Sequence, residues 1–282
     1  MSLRRTRVFA VAAALLSTVV YVAAGCAHQS TEAASPVKRL STLPAAPISS
    51  SQPTLSVASA ETIVRAQDRS LEDRELDKGR HPTELLEFLD LKPGMKVAEI
   101  ASGGGYTTEL LARAVGPDGV VYGQNSRFVL DRFAEKPWSE RLKKSVMANV
   151  IRVDRDFDDP LPPGIKGLDA VVNVLFYHDT VWQKTDRAKM NRALFEALRP
   201  AGVYVIVDHS ARQGTGTSET QTNHRIEESV VRDEVEKAGF RYAASADFLR
   251  NTSDTRDWNA SPRAAADRRG TSDRFVLKFV KP

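Results

Sequence analysis

The strongest pattern in the chain is an alternation of short apolar runs with segments of helical spacing. Residues 96–100 form the first run. A helical segment follows over 107–115, stopped by Gly116-Pro117-Asp118-Gly119, and residues 120–123 and 150–153 give two more short strands. Helical spacing returns around 127–135 and 137–147. Residues 169–176 are apolar almost throughout, as a strand covered on both faces must be. A helix over 187–198 buries Met190, Leu194 and Leu198, and a turn at Arg199-Pro200-Ala201-Gly202 leads into a second fully apolar strand at 203–207. Residues 226–238 read as helix closed by Gly239. In the tail, Phe275, Leu277 and Phe279 alternate with polar partners over 274–280, the mark of an antiparallel or edge strand. Ahead of the first strand, residues 61–78 carry Ile63, Val64, Leu71 and Leu76 at helical spacing, a brace or lid, and Pro82 opens a short helix with Leu85, Leu86 and Leu89. Strand and helix in turn predict an α/β, doubly wound, mostly parallel sheet.

The N-terminal pattern differs. Arg4, Arg5 and Arg7 precede an apolar stretch over 8–24 that ends Ala23-Ala24-Gly25-Cys26, and Cys26 is the only cysteine of the 282 residues. A basic head and an apolar core ending in small residues read as an export signal. The ending resembles the lipobox of bacterial lipoproteins, with Ala23 where that motif more often has Leu, which implies lipidation at Cys26. An ordinary cleaved signal or an uncleaved anchor helix are the plainer alternatives. Residues 1–25 are thus expected to be a lipoprotein signal, 26–60 a flexible Ser/Thr/Ala/Pro-rich tether, and 61–282 one domain, held by a lipid anchor at the bacterial cell envelope on its periplasmic side. Removing the signal takes three of the four net positive charges of the chain. The remainder is nearly neutral, so charge gives no support to nucleic-acid binding.

The first strand leads into Glu99-Ile100-Ala101-Ser102-Gly103-Gly104-Gly105, followed by Tyr106-Thr107-Thr108. A strand, a tight glycine turn and a helix N-terminus let backbone amides approach a nucleotide-like group; the same turn also serves plain strand–helix packing. A dinucleotide site wants a third glycine where Thr108 stands, and no Lys-Ser/Thr pair follows the loop, which excludes a P-loop.

With Gly119-Val120-Val121-Tyr122-Gly123-Gln124-Asn125 and Leu198-Arg199-Pro200-Ala201-Gly202, this loop resembles the class I S-adenosylmethionine-dependent methyltransferases over roughly residues 90–282. The whole chain is similar to exported bacterial proteins grouped with them whose acceptors are not assigned. The resemblance implies a seven-stranded Rossmann-like sheet with an antiparallel final strand, S-adenosylmethionine as cofactor and a small-molecule methyl acceptor. It implies that Glu99 lies near the methionine amino group, with Ala101, Gly103, Gly104, Gly105 and Tyr106 forming the cofactor loop. Asn125, or Gln124, takes the place of the usual ribose-binding acid, and Asp156 beside Phe157 is the candidate for adenine. An amide there forgoes charge-assisted bonding.

Two predicted strands end in paired chemistry: Tyr177-His178-Asp179 and Asp208-His209-Ser210. In open α/β sheets ligands bind beyond such strand ends. His178 or His209 is expected to take a proton from the acceptor, with Asp179 and Asp208 orienting the ring; burial as capping or core groups is the alternative. A metal reading places Asp179, Asp208, His209 and His224 around a divalent cation. His224-Arg225, after a polar loop at 214–222, and Tyr177 are candidate acceptor contacts. Arg80-His81-Pro82 is a lesser one, and Trp182 and Trp258 read as packing residues. A non-catalytic envelope binding module on the same fold stands as the other functional reading.

Overall fold

The computed structural model describes residues 57–282, with side chains from Ala60 onward. The signal, Cys26 and most of the tether lie outside the described residues.

Seven strands make one sheet: β1 (Lys96–Ile100), β2 (Val120–Asn125), β3 (Val150–Asp154), β4 (Leu168–Val174), β5 (Leu198–His209), β6 (Arg241–Ala246) and β7 (Arg274–Val280). Their order is β3-β2-β1-β4-β5-β7-β6. The first five strands run parallel, and β7 is inserted antiparallel between β5 and β6. Central β4 and β5 are apolar because both faces are covered, and Val171, Val172, Tyr204, Val205 and Ile206 are fully buried. The order reverses between β1 and β4. That is the switch point, where the strand ends splay apart and leave a crevice.

The helices are α1 (Val57–Val64), α2 (Leu71–Arg80), α3 (Pro82–Leu89), α4 (Tyr106–Val115), α5 (Arg127–Val129), α6 (Glu135–Arg141), α7 (Tyr177–Trp182), α8 (Arg187–Ala197) and α9 (Glu228–Lys237), with a π-helical turn over Leu130–Ala134 joining α5 to α6. The single helix expected over 61–78 is two. The chain breaks after Val64 and restarts at Ser70, whose hydroxyl accepts from Asp73 N–H at 3.1 Å and so caps α2. The helix expected from residue 226 begins at Glu228. Ile226 instead pairs with Ser210 in an isolated bridge, and its N–H donates to His209 O. Neither β6 nor α7 is foreseen by the hydrophobic pattern.

Candidate functional site

A cleft of about 1180 Å³ opens at the switch point, running from Glu99 and Gly103 past Phe128 and Trp182 to His178 and His209. Its floor is the glycine turn. Gly105 caps α4 at φ +83°, and a Cβ there would come within 2.6 Å of the Trp138 ring. The fully buried Trp138 also fills the space beside Gly123, so both glycines are needed for this indole to lie under the loop. Gly103, at φ +55°, meets no atom within 4 Å of its would-be Cβ and leaves the cleft open. Ala101 holds the same left-handed backbone at φ +59°. For an alanine this costs about 1–2 kcal/mol. Leu175 and His224 are also left-handed and also line the cleft, so strained backbone concentrates here, as it does at binding sites.

Glu99 ends inside the cleft wall, 3% exposed, accepting from the Thr108 hydroxyl. Burial pushes its carboxyl up to about 7, although Thr108, Thr107, Ser102 and the nearby Arg80 charge pull the other way. It makes no ion pair among the described residues. Arg80 also faces the cleft, stacked over Tyr106 with its guanidinium 4.4 Å from the ring centroid. Buried Arg274 lies on the same side, donating only to the carbonyls of Ser272, Gly79 and Gly270. Burial, then the like charge of Arg80, lowers it to about 10.

The second strand does not present its amides to the cleft. Asn125 is fully buried. Its Oδ1 accepts from Gly103 N–H at 2.8 Å and its Nδ2 donates to Gly103 O at 3.1 Å. Gln124 likewise holds Ala101 N–H and Arg155 O. These amides brace the loop instead of facing the cleft, so the ribose contact expected of Asn125 and a free Gly103 amide are corrected. Asp156 is exposed and Phe157 is packed 4.7 Å from the Phe176 ring; neither lines the cleft. Phe128 and Trp182 line it instead, their rings 5.7 Å apart, which corrects the packing role expected of Trp182.

At the other end the two strand-end pairs interlock. Fully buried Asp208 does not reach the cleft: one oxygen accepts from His178 N–H, the other from His178 Nδ1–H at 2.7 Å. His178 Nε2 lies 3.1 Å from Asp179 Oδ1 and 3.2 Å from His224 Nδ1. Burial would lower the His178 pKa, but the Asp208 and Asp179 charges overcome it and raise it to about 10. The two carboxylates thus favour the imidazolium form of His178 in the free protein, the opposite of what a proton acceptor needs. His209 is the reverse. Burial and the charges of His178, Arg274, Arg225 and His224 hold it well below the ordinary range, so it is neutral, with Nδ1 2.7 Å from Ser272 Oγ. In the tautomer that donates from Nδ1, Nε2 is left to accept. In metal-free protein, imidazole 15N shifts are therefore expected to stay cationic for His178 through pH 8 and neutral for His209 at pH 6; a shared midpoint near 6.5 would overturn this assignment.

Two expected acceptor contacts are internal. Tyr177 is fully buried, donating to Glu234 Oε2 and accepting from Asn191 Nδ2. Arg225 is fully buried against Asp254 and the Trp258 ring. Trp258 is a packing residue, as expected. The sequence placed a brace or lid over 61–78 and Arg80 beside the site, and Arg80 does line the cleft, but the bonds that fasten this arm were not foreseen. Arg141 Nε donates to Gly104 O at 2.6 Å while its guanidinium grips Asp73 of α2, and Tyr106 Oη donates to Asp77 at 2.6 Å. Only Pro137, whose Cβ would lie 3.4 Å from a Cβ at Gly104, and the acidic face of α2 hint at these bonds.

The family model of protein-L-isoaspartate(D-aspartate) O-methyltransferase matches residues 80–161. A stretch of 38 residues is 50% identical to protein-L-isoaspartate O-methyltransferase of Methanothermobacter thermautotrophicus, spanning 14% of this chain and 18% of that protein. In three dimensions the chain is similar to an S-adenosylmethionine-dependent methyltransferase from Aquifex aeolicus, with TM-score 0.53, 17% identity and coverage of 79% of this chain and 98% of that one. It is also similar to the [4+2]-cyclase SpnF, with TM-score 0.51, 14% identity and coverage of 74% and 80%. The mostly parallel seven-stranded sheet with antiparallel β7, entered through a glycine turn after β1, is the fold of the class I S-adenosylmethionine-dependent methyltransferases.

Proposed function

We propose that the protein is an S-adenosylmethionine-dependent methyltransferase acting on a small molecule. The observation that carries the reading is the placement of buried Glu99 and of Arg80 at one end of the cleft, near enough for their charges to interact but with neither in an ion pair among the described residues. An amino-acid zwitterion needs one such acid and one such base; Glu99 takes the ammonium and Arg80 the carboxylate. Open Gly103 leaves room for the chain between them, and Phe128 offers a wall for the adenine ring. When bound, the cofactor supplies an electrophilic methyl group. The residues of the chain position it, and the acceptor lies toward the histidine end. There the neutral His209 accepts the acceptor's proton. SpnF shows that the fold also serves other reactions, so the site and not the sheet supports the assignment.

Calorimetric titration of the purified protein with S-adenosylmethionine tests the reading. Heat that competes with the demethylated product supports it. A protein inert to both would overturn it.

The chain is further proposed to be exported and anchored through lipid on Cys26, on the strength of the N-terminal sequence alone. Cys26→Ser is expected to abolish metabolic labelling of the protein by palmitate; labelling that survives the substitution, or a wild-type protein that takes up none, would count against the anchor.

A further inference from the structure

His178 Nε2, Asp179 Oδ1 and His224 Nδ1 form a nearly equilateral triangle with edges of 3.1, 3.2 and 3.2 Å. Hydrogen bonding explains this arrangement poorly. Trp182 Nε1 already donates to the same Asp179 oxygen at 2.7 Å. Two ring nitrogens therefore converge on an oxygen that is already hydrogen-bonded, and on each other at hydrogen-bond distance. If both carry protons, the N–N edge is repulsive; if only one does, one edge of the three has no bond.

A cation removes the conflict. Ligands about 2.1 Å from a divalent transition metal are separated by about 3.0 Å in octahedral and 3.4 Å in tetrahedral geometry, and the observed edges fall between. An ion at that distance would stand about 1 Å above the plane of the three atoms. The surroundings fit as well. The Nδ1–H of His178 is held by Asp208, the carboxylate–histidine support that fixes a ligating ring, and the Trp182 bond orients Asp179. All three ligands line the cleft, so the remaining coordination positions face it.

We propose that His178, Asp179 and His224 bind a divalent transition-metal ion, and that its open positions take an oxygen of the small molecule in the cleft. Two imidazoles and one carboxylate suit zinc, iron, cobalt or manganese better than magnesium or calcium. Of the four ligands expected from the sequence, Asp179 and His224 are kept. Asp208 supports a ligand, and His209 faces Ser272. The identity of the oxygen ligand as a methyl acceptor rests on the methyltransferase reading; the metal site does not.

Cobalt(II) is the probe. Titrated into the full-length, chelator-treated protein, it is expected to give visible d–d bands that saturate at one ion per chain. His224→Ala and Asp179→Ala should abolish the bands and weaken binding by at least about 100-fold, and Asp208→Asn should weaken it by about 10–100-fold. His81→Ala, outside the cleft, should leave the titration unchanged, and thermal melts verify that each variant is folded. A wild-type protein without bands at millimolar cobalt, or bands that survive both His224→Ala and Asp179→Ala, overturns the site. The arms separate the two readings. Bands without S-adenosylmethionine heat keep the metal and remove the methyltransferase; heat without bands does the reverse.

Discussion

Arg225→Met is expected to destabilise the fold by about 3–5 kcal/mol and to lower Tm by roughly 10 °C. The side chain is fully buried, and all three nitrogens of its guanidinium donate hydrogen bonds. It donates to Asp254 Oδ2 at 2.8 Å, to Ser210 O at 3.0 Å and to Trp258 O at 3.2 Å, and stacks on the Trp258 ring. These bonds tie the end of β5 to the 254–258 loop. Methionine restores much of the volume, so the loss is electrostatic. Asp254, its side chain 1% exposed, keeps its charge without the cation opposite. The backbone N–H groups of Asp273 and Arg256 and the Trp258 indole still donate to it, which limits the damage. A second change, Asp254→Asn in the Arg225→Met background, is expected to recover part of the loss, because the buried charge is then gone. Chemical denaturation of the wild type and the two variants checks this. A single variant within about 1 kcal/mol of wild type would mean that the pair is dispensable.

Glu99→Gln is expected to weaken S-adenosylmethionine binding by about 3 kcal/mol, roughly two orders of magnitude in Kd, because it removes the buried anion opposite an ammonium. The wild-type protein should also show a characteristic pH dependence. Its Glu99 is held near 7 by burial, so below that pH the free protein carries it protonated and above it ionised. A cationic ligand binds the ionised form. Affinity therefore rises by up to about tenfold per pH unit between 5 and 7 and levels off above, with a proton released on binding at the low end. The glutamine variant should lose both the slope and the proton release. The same shift has a stability consequence of opposite sense. Glu99 titrates higher in the folded protein than in the unfolded chain, so the folded state binds the extra proton between about 4.5 and 7. Stability from this group is therefore full below that window and is lost as pH rises through it. Calorimetry at several pH values, in buffers of different ionisation heat, reads all of these. A pH-independent Kd would remove Glu99 from the cofactor site.

The apolar runs carried the architecture well. β1 and β7 span the residues their patterns predict, although β7, in its place between β5 and β6, is covered on both faces. β6 was hidden for a physical reason: Arg-Tyr-Ala-Ala-Ser-Ala at an edge is half exposed and offers no apolar contrast. The site was legible at the level of position. Glu99, His178, Asp179, His209 and His224 all line the cleft because strand ends converge there whatever their side chains do. Side-chain direction was not legible. Asn125 turning back onto Gly103, Asp208 onto His178, and Tyr177 toward Glu234 each depend on partners 22 to 57 residues away. The charge state of the histidines followed from the same hidden partners, so the sequence offered His178 and His209 as equals where the structure makes them opposites.

The acids and carbonyls of α2 have one practical consequence. Asp73 holds Arg141, Asp77 holds Tyr106, and Gly79 O holds Arg274, so a helix that precedes the sheet forms one wall of the cleft. A shortened version cut at the first strand would retain all seven strands yet strip three cleft side chains of their anchors. Any recombinant boundary meant to preserve ligand capture belongs upstream of Ser70, the cap of α2.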